Sequence, residues 1–230
     1  LIKTGEISLV RGNQSEIKAI YDALIPNTQA DASTTGKGVD GGQIEDSAVI
    51  AYRLARLINC PVVATGEEDY ISDGTRVFAV PHGHPIMTAV TGTGCLLGAV
   101  LAAFFSAYYP CKNRLSIGEF LGYALAYYGL AGECAVQVSG VQPGSFSVAF
   151  MDSLYTLDDA VLMSENRIRP IVVPDQLQVY FISGTQDVEL NENRLLSIVE
   201  DACRGGVTCF QFREKGVGTL VGQQKLELAQ

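Results

Sequence analysis

In the stretch Thr91-Gly92-Thr93-Gly94-Cys95 a thiol follows two closely spaced glycines and heads an apolar run that reaches Phe105. Glycines at this spacing make a tight turn, and the run behind them makes a buried helix. Such a turn presents free backbone N–H groups, and the positive end of the helix dipole adds to them. The ligand it suits is a phosphate, or a charge developing on one. Cys95 is the one side chain here with nucleophile or base chemistry. At a helix N-terminus its thiol tends toward the thiolate, which could take the proton of an attacking alcohol. The same residues also fit a plainer role, with Cys95 a small core residue and Gly92 and Gly94 making only a turn.

Other candidates stand where apolar runs end. Arg11 and Glu16 lie between the run Ile7–Val10 and a segment in which Ile17, Ile20, Tyr21 and Leu24 share one helical face. That is the carboxyl end of a strand and the start of a helix, where open α/β sheets place ligands. Arg11 could meet a phosphate or nucleotide. Glu16 could hold Mg²⁺ or its water, or could simply complement the helix dipole. Thr65, at the end of the β-branched run Pro61–Ala64, is a second candidate ligand contact. His82 and His84 flank Gly83 beside Pro85; without a third ligand nearby they read as loop residues rather than a metal pair. Near the end of the chain Gln211, Arg213 and Lys215 alternate to one side of a strand as it leaves its sheet. An amide and two cations would suit a diphosphate, and a solvated strand end would look the same.

The elements that must position these residues form an α/β pattern. The strand ending at Val10, the turn Arg11–Asn13 and the helix to Leu24 are followed by a Thr-, Ser- and Gly-rich loop over Asn27–Gly42. Helical spacing resumes over Ile44–Ile58, then the Pro61–Ala64 strand, then a hairpin with Ser72-Asp73-Gly74-Thr75 at its tip. Helices follow over Leu96–Tyr109 and Ile117–Val138; Gly122, Gly129 and Gly132 in the second suit close helix contacts. Phe146, Phe150, Leu154 and Leu157 share the face of a further helix, with Ser145 in N-cap position. Asp158–Gln176, with Pro170 and Pro174 and no regular period, reads as a linker. Beyond it a strand over Leu177–Ile182, a helix over Leu190–Cys203 and a strand over Val207–Phe212 make a parallel β-α-β unit, with another helix beginning at Leu220.

Composition narrows the class. A chain of 230 residues with 47% hydrophobic content holds one large domain or two small ones around a proper core. A formal net charge of -9 argues against nucleic acid or an anionic membrane as a general partner, so any phosphate must be met locally. The six cysteines show neither a CxxC pair nor metal spacing, which is simplest as free thiols in the reducing cytoplasm. The longest apolar run falls well short of the roughly 20 residues of a membrane helix. The opening at Leu1, in the approach to a strand, reads as a fragment or a processed chain.

Four segments together resemble hydroxyethylthiazole kinase, a ribokinase-like family of thiamine salvage: Arg11-Gly12-Asn13-Gln14-Ser15-Glu16-Ile17, Val62-Val63-Ala64-Thr65-Gly66-Glu67, Val90 to Ala99, and Pro143-Gly144-Ser145-Phe146. The resemblance implies a ribokinase-like sheet flanked by helices over residues 1–157, ATP and Mg²⁺ as cosubstrate and metal, and a thiazole alcohol as acceptor. It implies that Cys95 fills the place of the aspartate base usual in ribokinase relatives, and that Arg11 and Thr65 contact ATP. It further implies that Gly92 lies by the alcohol, with Thr93 and Gly94 in the same anion hole, that Glu16 organises Mg²⁺, and that the enzyme is a homo-oligomer, a trimer. With 158–176 as linker, residues 177–230 look like the opening of thiamine phosphate synthase, a (β/α)₈ barrel. That resemblance gives Gln211, Arg213 and Lys215 the pyrimidine diphosphate. Together these point to a bifunctional thiamine enzyme of which the chain is a part. The alternatives are another ribokinase-type kinase, acting for example on an aminopyrimidine alcohol, and a non-catalytic truncated chain.

Overall fold

The structure, a computed structural model, describes residues 6–25 and 42–213. The chain divides into two units, Leu1–Val172 and Val173–Gln230. In the first, β1 (Val10–Asn13), α1 (Gln14–Leu24), α2 (Gly42–Ile58), β2 (Val62–Thr65), β3 (Asp69–Ser72) and β4 (Val77–Val80) precede α3 (Thr93–Ala107) and α4 (Ile117–Ser139). Helices α5 (Pro143–Thr156) and α6 (Asp159–Glu165) and strand β5 (Arg169–Ile171) complete it. The sheet runs β1-β2-β3-β4-β5 and is mixed: β1 and β2 are parallel, whereas β3, β4 and β5 each join their neighbour antiparallel.

Alternation along the strands divides the core in two. Val10, Val62 and Ala64 pack with Ile17, Ala51, Leu54 and Ala55 under α1 and α2. Val63, Ile71, Phe78 and Val80 face the other way, onto Leu97, Leu101, Leu121, Leu125, Tyr128, Phe146 and Phe150 of α3, α4 and α5. This is helices on both faces of a sheet, the α/β layering expected from the sequence.

Several boundaries differ from the expectation, each for a packing reason. The first strand is not Ile7–Val10 followed by a turn; Arg11, Gly12 and Asn13 are themselves in the strand, paired in register with Val63, Ala64 and Thr65. Gly and Asn are poor strand formers, but the parallel partner β2 supplies the pairing. Asn13 then ends the strand and caps α1 at once, with no turn between them. Gly94 and Cys95 lie inside the first turn of α3 rather than in a loop before it. Gln142, not Ser145, is the N-cap of α5, because Pro143 fits the first helical position. The stretch 158–176, expected to be an irregular linker, contains α6 and β5, and β5 closes the sheet against β4 through Val77↔Ile171, Phe78↔Pro170 and Ala79↔Arg169. Pro170 is tolerated because β5 is an edge. The loop expected over Asn27–Gly42 lies outside the described residues, except that Gly42 opens α2.

The glycines of α4 admit the segment before α3, including its short 3-10 turn Pro85–Ala89, and the sheet rather than another α-helix. A Cβ on Gly129 would stand 2.6 Å from the Cβ of His82 and 2.7 Å from its carbonyl carbon, and one on Gly132 would overlap Met87. Gly122 has only ordinary contacts, with Ile168 and Ile71.

In the second unit β6 (Tyr180–Ser183) and β7 (Cys209–Phe212) are parallel, with Tyr180 opposite Cys209, and α7 (Glu192–Arg204) crosses between them. The β-α-β reading is therefore correct for this segment.

The two kinds of glycine have opposite expected effects. Gly98 of α3 has nothing within 4 Å of a built Cβ. Gly98→Ala should thus stabilise the fold by about 0.5–1 kcal/mol through helix propensity. Gly129→Ala should destabilise it by about 1–3 kcal/mol, since His82 must move. Thermal unfolding of the two variants beside the wild type checks the pair. A Gly129→Ala protein melting at or above the wild type would contradict the packing.

Candidate active site

The parallel register of β1 and β2 decides where Arg11 points. It pairs with Val63 and so shares that residue's face, toward α3 and α4, while Gly12 pairs with Ala64 and faces α1. The guanidinium comes to rest against the start of α3: a Cβ on Gly94 would lie 3.3 Å from Nη2 and 3.6 Å from Nη1 of Arg11. A side chain at Gly94 would press on the guanidinium and shift it.

The first turn of α3 is built to expose its amides. Gly92 is the N-cap, at φ 97°, a left-handed conformation that favours glycine, and it offers no side chain to cover the helix end. The Leu96 N–H donates to the Gly92 carbonyl at 2.9 Å, and the Thr93 N–H approaches the Val90 carbonyl at 3.5 Å. The N–H groups of Gly94 and Cys95 are among those a helix leaves without an internal acceptor. The Thr93 hydroxyl lies within reach of the carbonyls of Met87 (2.8 Å) and Val90 (3.1 Å), so this side chain ties the helix start to the preceding loop. Cys95, third residue of α3, is exposed.

Arg11 therefore faces the positive end of a helix dipole. A full charge and about half a charge at ~4 Å repel by about 2 kcal/mol in a medium of effective dielectric ~20. Arg11 is half-buried, and its Nε is buried with no hydrogen-bond partner. An anion between guanidinium and amides would turn the repulsion into two attractions.

Around this space stand the ends of β1 and β2. The Thr65 hydroxyl donates to the Gly12 carbonyl at 3.3 Å, joining the two strands and keeping its lone pairs free to accept. Glu16 is exposed and forms a capping box: its Oε2 accepts the Asn13 N–H at 2.7 Å, while Asn13 Oδ1 accepts the Glu16 N–H at 2.9 Å. Gly12 leaves room for this, since a Cβ there would stand 3.0 Å from Glu16 Cβ and Oε2. The carboxylate thus serves the helix terminus, the plainer of its two expected roles. Among the described residues no three His, Cys, Asp or Glu side chains come together to hold a metal ion. Mg²⁺ accompanying a nucleotide takes most of its ligands from phosphates and water, and one exposed carboxylate such as Glu16 fits that limited demand.

Two residues of this neighbourhood carried no signal in the sequence. The Gln14 side chain lies across Gly66, in the space a Cβ there would fill. Asp69 Oδ1 accepts the Gly66 N–H at 2.9 Å. Burial pushes its carboxyl up to about 6, against the opposing pull of the Gly66 N–H and of Arg11.

The two histidines make contacts of their own. His82 is buried and its Nε2 accepts the Arg167 backbone N–H at 3.1 Å, while His84 Nδ1 accepts the Ile86 N–H at 3.2 Å; both rings serve the loop. Gln211 and Arg213 are exposed in the second unit, where Gln211 Oε1 accepts the Tyr180 hydroxyl at 2.7 Å and the Arg213 N–H donates to the Ser183 carbonyl at 2.9 Å. Lys215 lies outside the described residues.

A model of the hydroxyethylthiazole kinase family matches residues 1–160. The chain belongs to that family. A hydroxyethylthiazole kinase of Streptococcus agalactiae serotype Ia is 42% identical over 166 residues, covering 72% of this chain and 60% of that protein. One of Halalkalibacterium halodurans is 37% identical over 168 residues, covering 73% and 59%. The solved structure of the hydroxyethylthiazole kinase protein from Pyrococcus horikoshii OT3 is similar with a TM-score of 0.58 at 30% identity, over 72% of this chain and 56% of that one. This member of the family spans three fifths or less of the length of these relatives. Among the described residues no helix is long and apolar enough to cross a membrane.

The pH dependence of stability should carry the mark of Asp69. The folded protein holds this proton more tightly than the unfolded chain, whose Asp titrates near about 4. Stability from this group is therefore greatest at acid pH and falls as pH rises from about 4 through about 6. Asp69→Asn keeps an oxygen for the Gly66 N–H and removes the ionisation. Its melting temperature relative to the wild type should climb across that window and level off above it. A difference independent of pH would contradict the assignment.

Proposed function

We propose that the protein transfers the γ-phosphoryl group of ATP to the primary alcohol of 4-methyl-5-(2-hydroxyethyl)thiazole, within thiamine biosynthesis or salvage. The observation that supports this is the confrontation of Arg11 with the start of α3, where the amides of Gly94 and Cys95 have no acceptor within the helix, an arrangement that would suit an anion. Family membership supplies the identity of the reactants.

In this reading Arg11 holds the nucleotide phosphates and Thr65 offers its hydroxyl oxygen to the same ligand at the end of β2. The N–H groups from Gly92 to Cys95 hold the charge that builds on the phosphoryl oxygens, with those of Gly94 and Cys95 best placed to do so. Gly92, lacking a side chain, leaves space for the acceptor alcohol. Cys95, exposed at the same helix end, takes the alcohol proton or shapes its approach. Mg²⁺ would neutralise part of the triphosphate charge when bound; Glu16 would hold it through water. We place the enzyme in the cytoplasm as a homo-oligomer, by the family resemblance a trimer.

For the second unit we propose the opening of a thiamine phosphate synthase barrel, with Gln211, Arg213 and Lys215 receiving a pyrimidine diphosphate. Its support is the parallel β-α-β unit, whose second strand carries Gln211 and ends just before Arg213. A kinase fused to the enzyme that uses its product would then be a single bifunctional chain.

Phosphoryl transfer depends on positioning more than on base strength. Gly94→Val drives a branched side chain into the guanidinium of Arg11 and should abolish turnover of ATP with the thiazole alcohol. Cys95→Ala should cost about 10²-fold to 10³-fold in kcat, in the range of a lost proton acceptor. Coupled assay of thiazole phosphate formation checks both. An alanine variant without turnover beside an active valine variant would overturn this scheme, and transfer to an aminopyrimidine alcohol in place of the thiazole would favour the related kinase. For the second unit, calorimetry with the pyrimidine diphosphate should show binding that Arg213→Ala weakens at least 10-fold; equal binding by both would remove Arg213 from that site.

A further inference from the structure

The Tyr128 hydroxyl donates to the carbonyl of Thr93 at 2.6 Å. Thr93 is the first residue of α3, and its carbonyl belongs to the same peptide unit as the N–H of Gly94. In a planar trans peptide the C=O and N–H point in opposite directions, so whatever fixes one fixes the other. A donor behind the carbonyl therefore aims the Gly94 N–H away from α4.

Tyr128 is itself held firmly. It is buried at 4% exposure, and its ring meets Phe150 edge-on at 5.0 Å, while Phe150 stacks on Phe146 at 5.5 Å. Neighbouring positions of α4 hold the loop that leads into the same turn. Gly129 admits His82, Gly132 admits Met87, and Glu133 Oε1 accepts the Gly83 N–H at 2.9 Å. Thr93 is thus tied at its hydroxyl to the loop and at its carbonyl to the helix beneath. Burial pushes the phenol of Tyr128 well up, offset only in part by Arg11, so the hydroxyl keeps its proton as donor.

We propose that Tyr128 is a positioning residue of the phosphoryl site: through the Thr93 carbonyl, its hydroxyl orients the Gly94 amide toward the anion held by Arg11. This rests on the nucleotide reading given above for the same turn. Tyr128 touches no reactant; it acts through the peptide plane.

The test is Tyr128→Phe, which keeps the aromatic packing and removes the one donor. Two measurements on the full chain separate this proposal from the nucleotide reading. Amide hydrogen exchange without ligand should accelerate at least 5-fold at Leu96, Leu97 and Gly98 in the variant, with the middle of α4 unchanged. Titration with adenylyl imidodiphosphate, followed by amide shifts, should move Gly94 and Cys95 in the wild type, and the variant should bind at least 5-fold more weakly while still unfolding cooperatively, its melting temperature lowered by no more than the loss of one buried hydrogen bond. Unchanged exchange at the start of α3, or acceleration spread evenly over α3 and α4, would overturn the positioning role. A wild type whose amides ignore the nucleotide would instead overturn the reading of the site, with the exchange result still deciding what Tyr128 holds.

Discussion

Arg11 stands against the positive end of α3 with its Nε buried and without a hydrogen-bond partner, and the attraction of Asp69 offsets that opposition only in part. The guanidinium is brought there by a strand register and the amides by a left-handed glycine, and each is costly without an anion between them. Local strain of this kind persists only where the surrounding packing imposes it. The rest of the first unit can be understood as that packing. Strands β1 and β2 set the position of Arg11, and α4 together with the loop before α3 sets the position of the amides.

Helix α4 is the more unusual of these supports. Twelve of its 23 residues are buried, and its small residues bring backbone close to backbone where a larger side chain would hold the layers apart. Close contact of this sort transmits position well, because a packed interior does not deform gradually. The ion pair of Arg167 with Glu133 at 2.5 Å, and the bond from Arg167 Nη2 to the Pro81 carbonyl, add a polar fastening at the far end of the same loop. The pair is partly exposed, so its value lies in fixing geometry more than in stability.

The two units pose different problems. The first closes a core on both faces of its sheet, consistent with a family match that ends near the same place. The second has only two paired strands among its described residues, with Tyr180 and Ile182 of β6 half exposed. A lone pair of strands buries little, which is why a larger sheet is the natural setting for this β-α-β unit.

What the residues alone determined was local chemistry and layering. Glycine spacing marked the turn before α3, alternation and period marked most strands and helices, and four short segments together, the one around Cys95 among them, gave the family, because each depends on a few neighbouring residues. Tertiary structure decided the rest. Only the pairing with β2 could draw Arg-Gly-Asn into a strand, and only β4 could make an edge strand of Arg169-Pro-Ile, since both overrule weak local preferences through bonds to distant backbone. The same holds for Glu16, whose capping role depends on Asn13 and on the missing side chain of Gly12. Tyr128 and Asp69 were silent in the sequence for the same reason: a tyrosine in an alanine-rich helix and one acid after two others gain meaning only from the carbonyl and the amide that folding sets beside them.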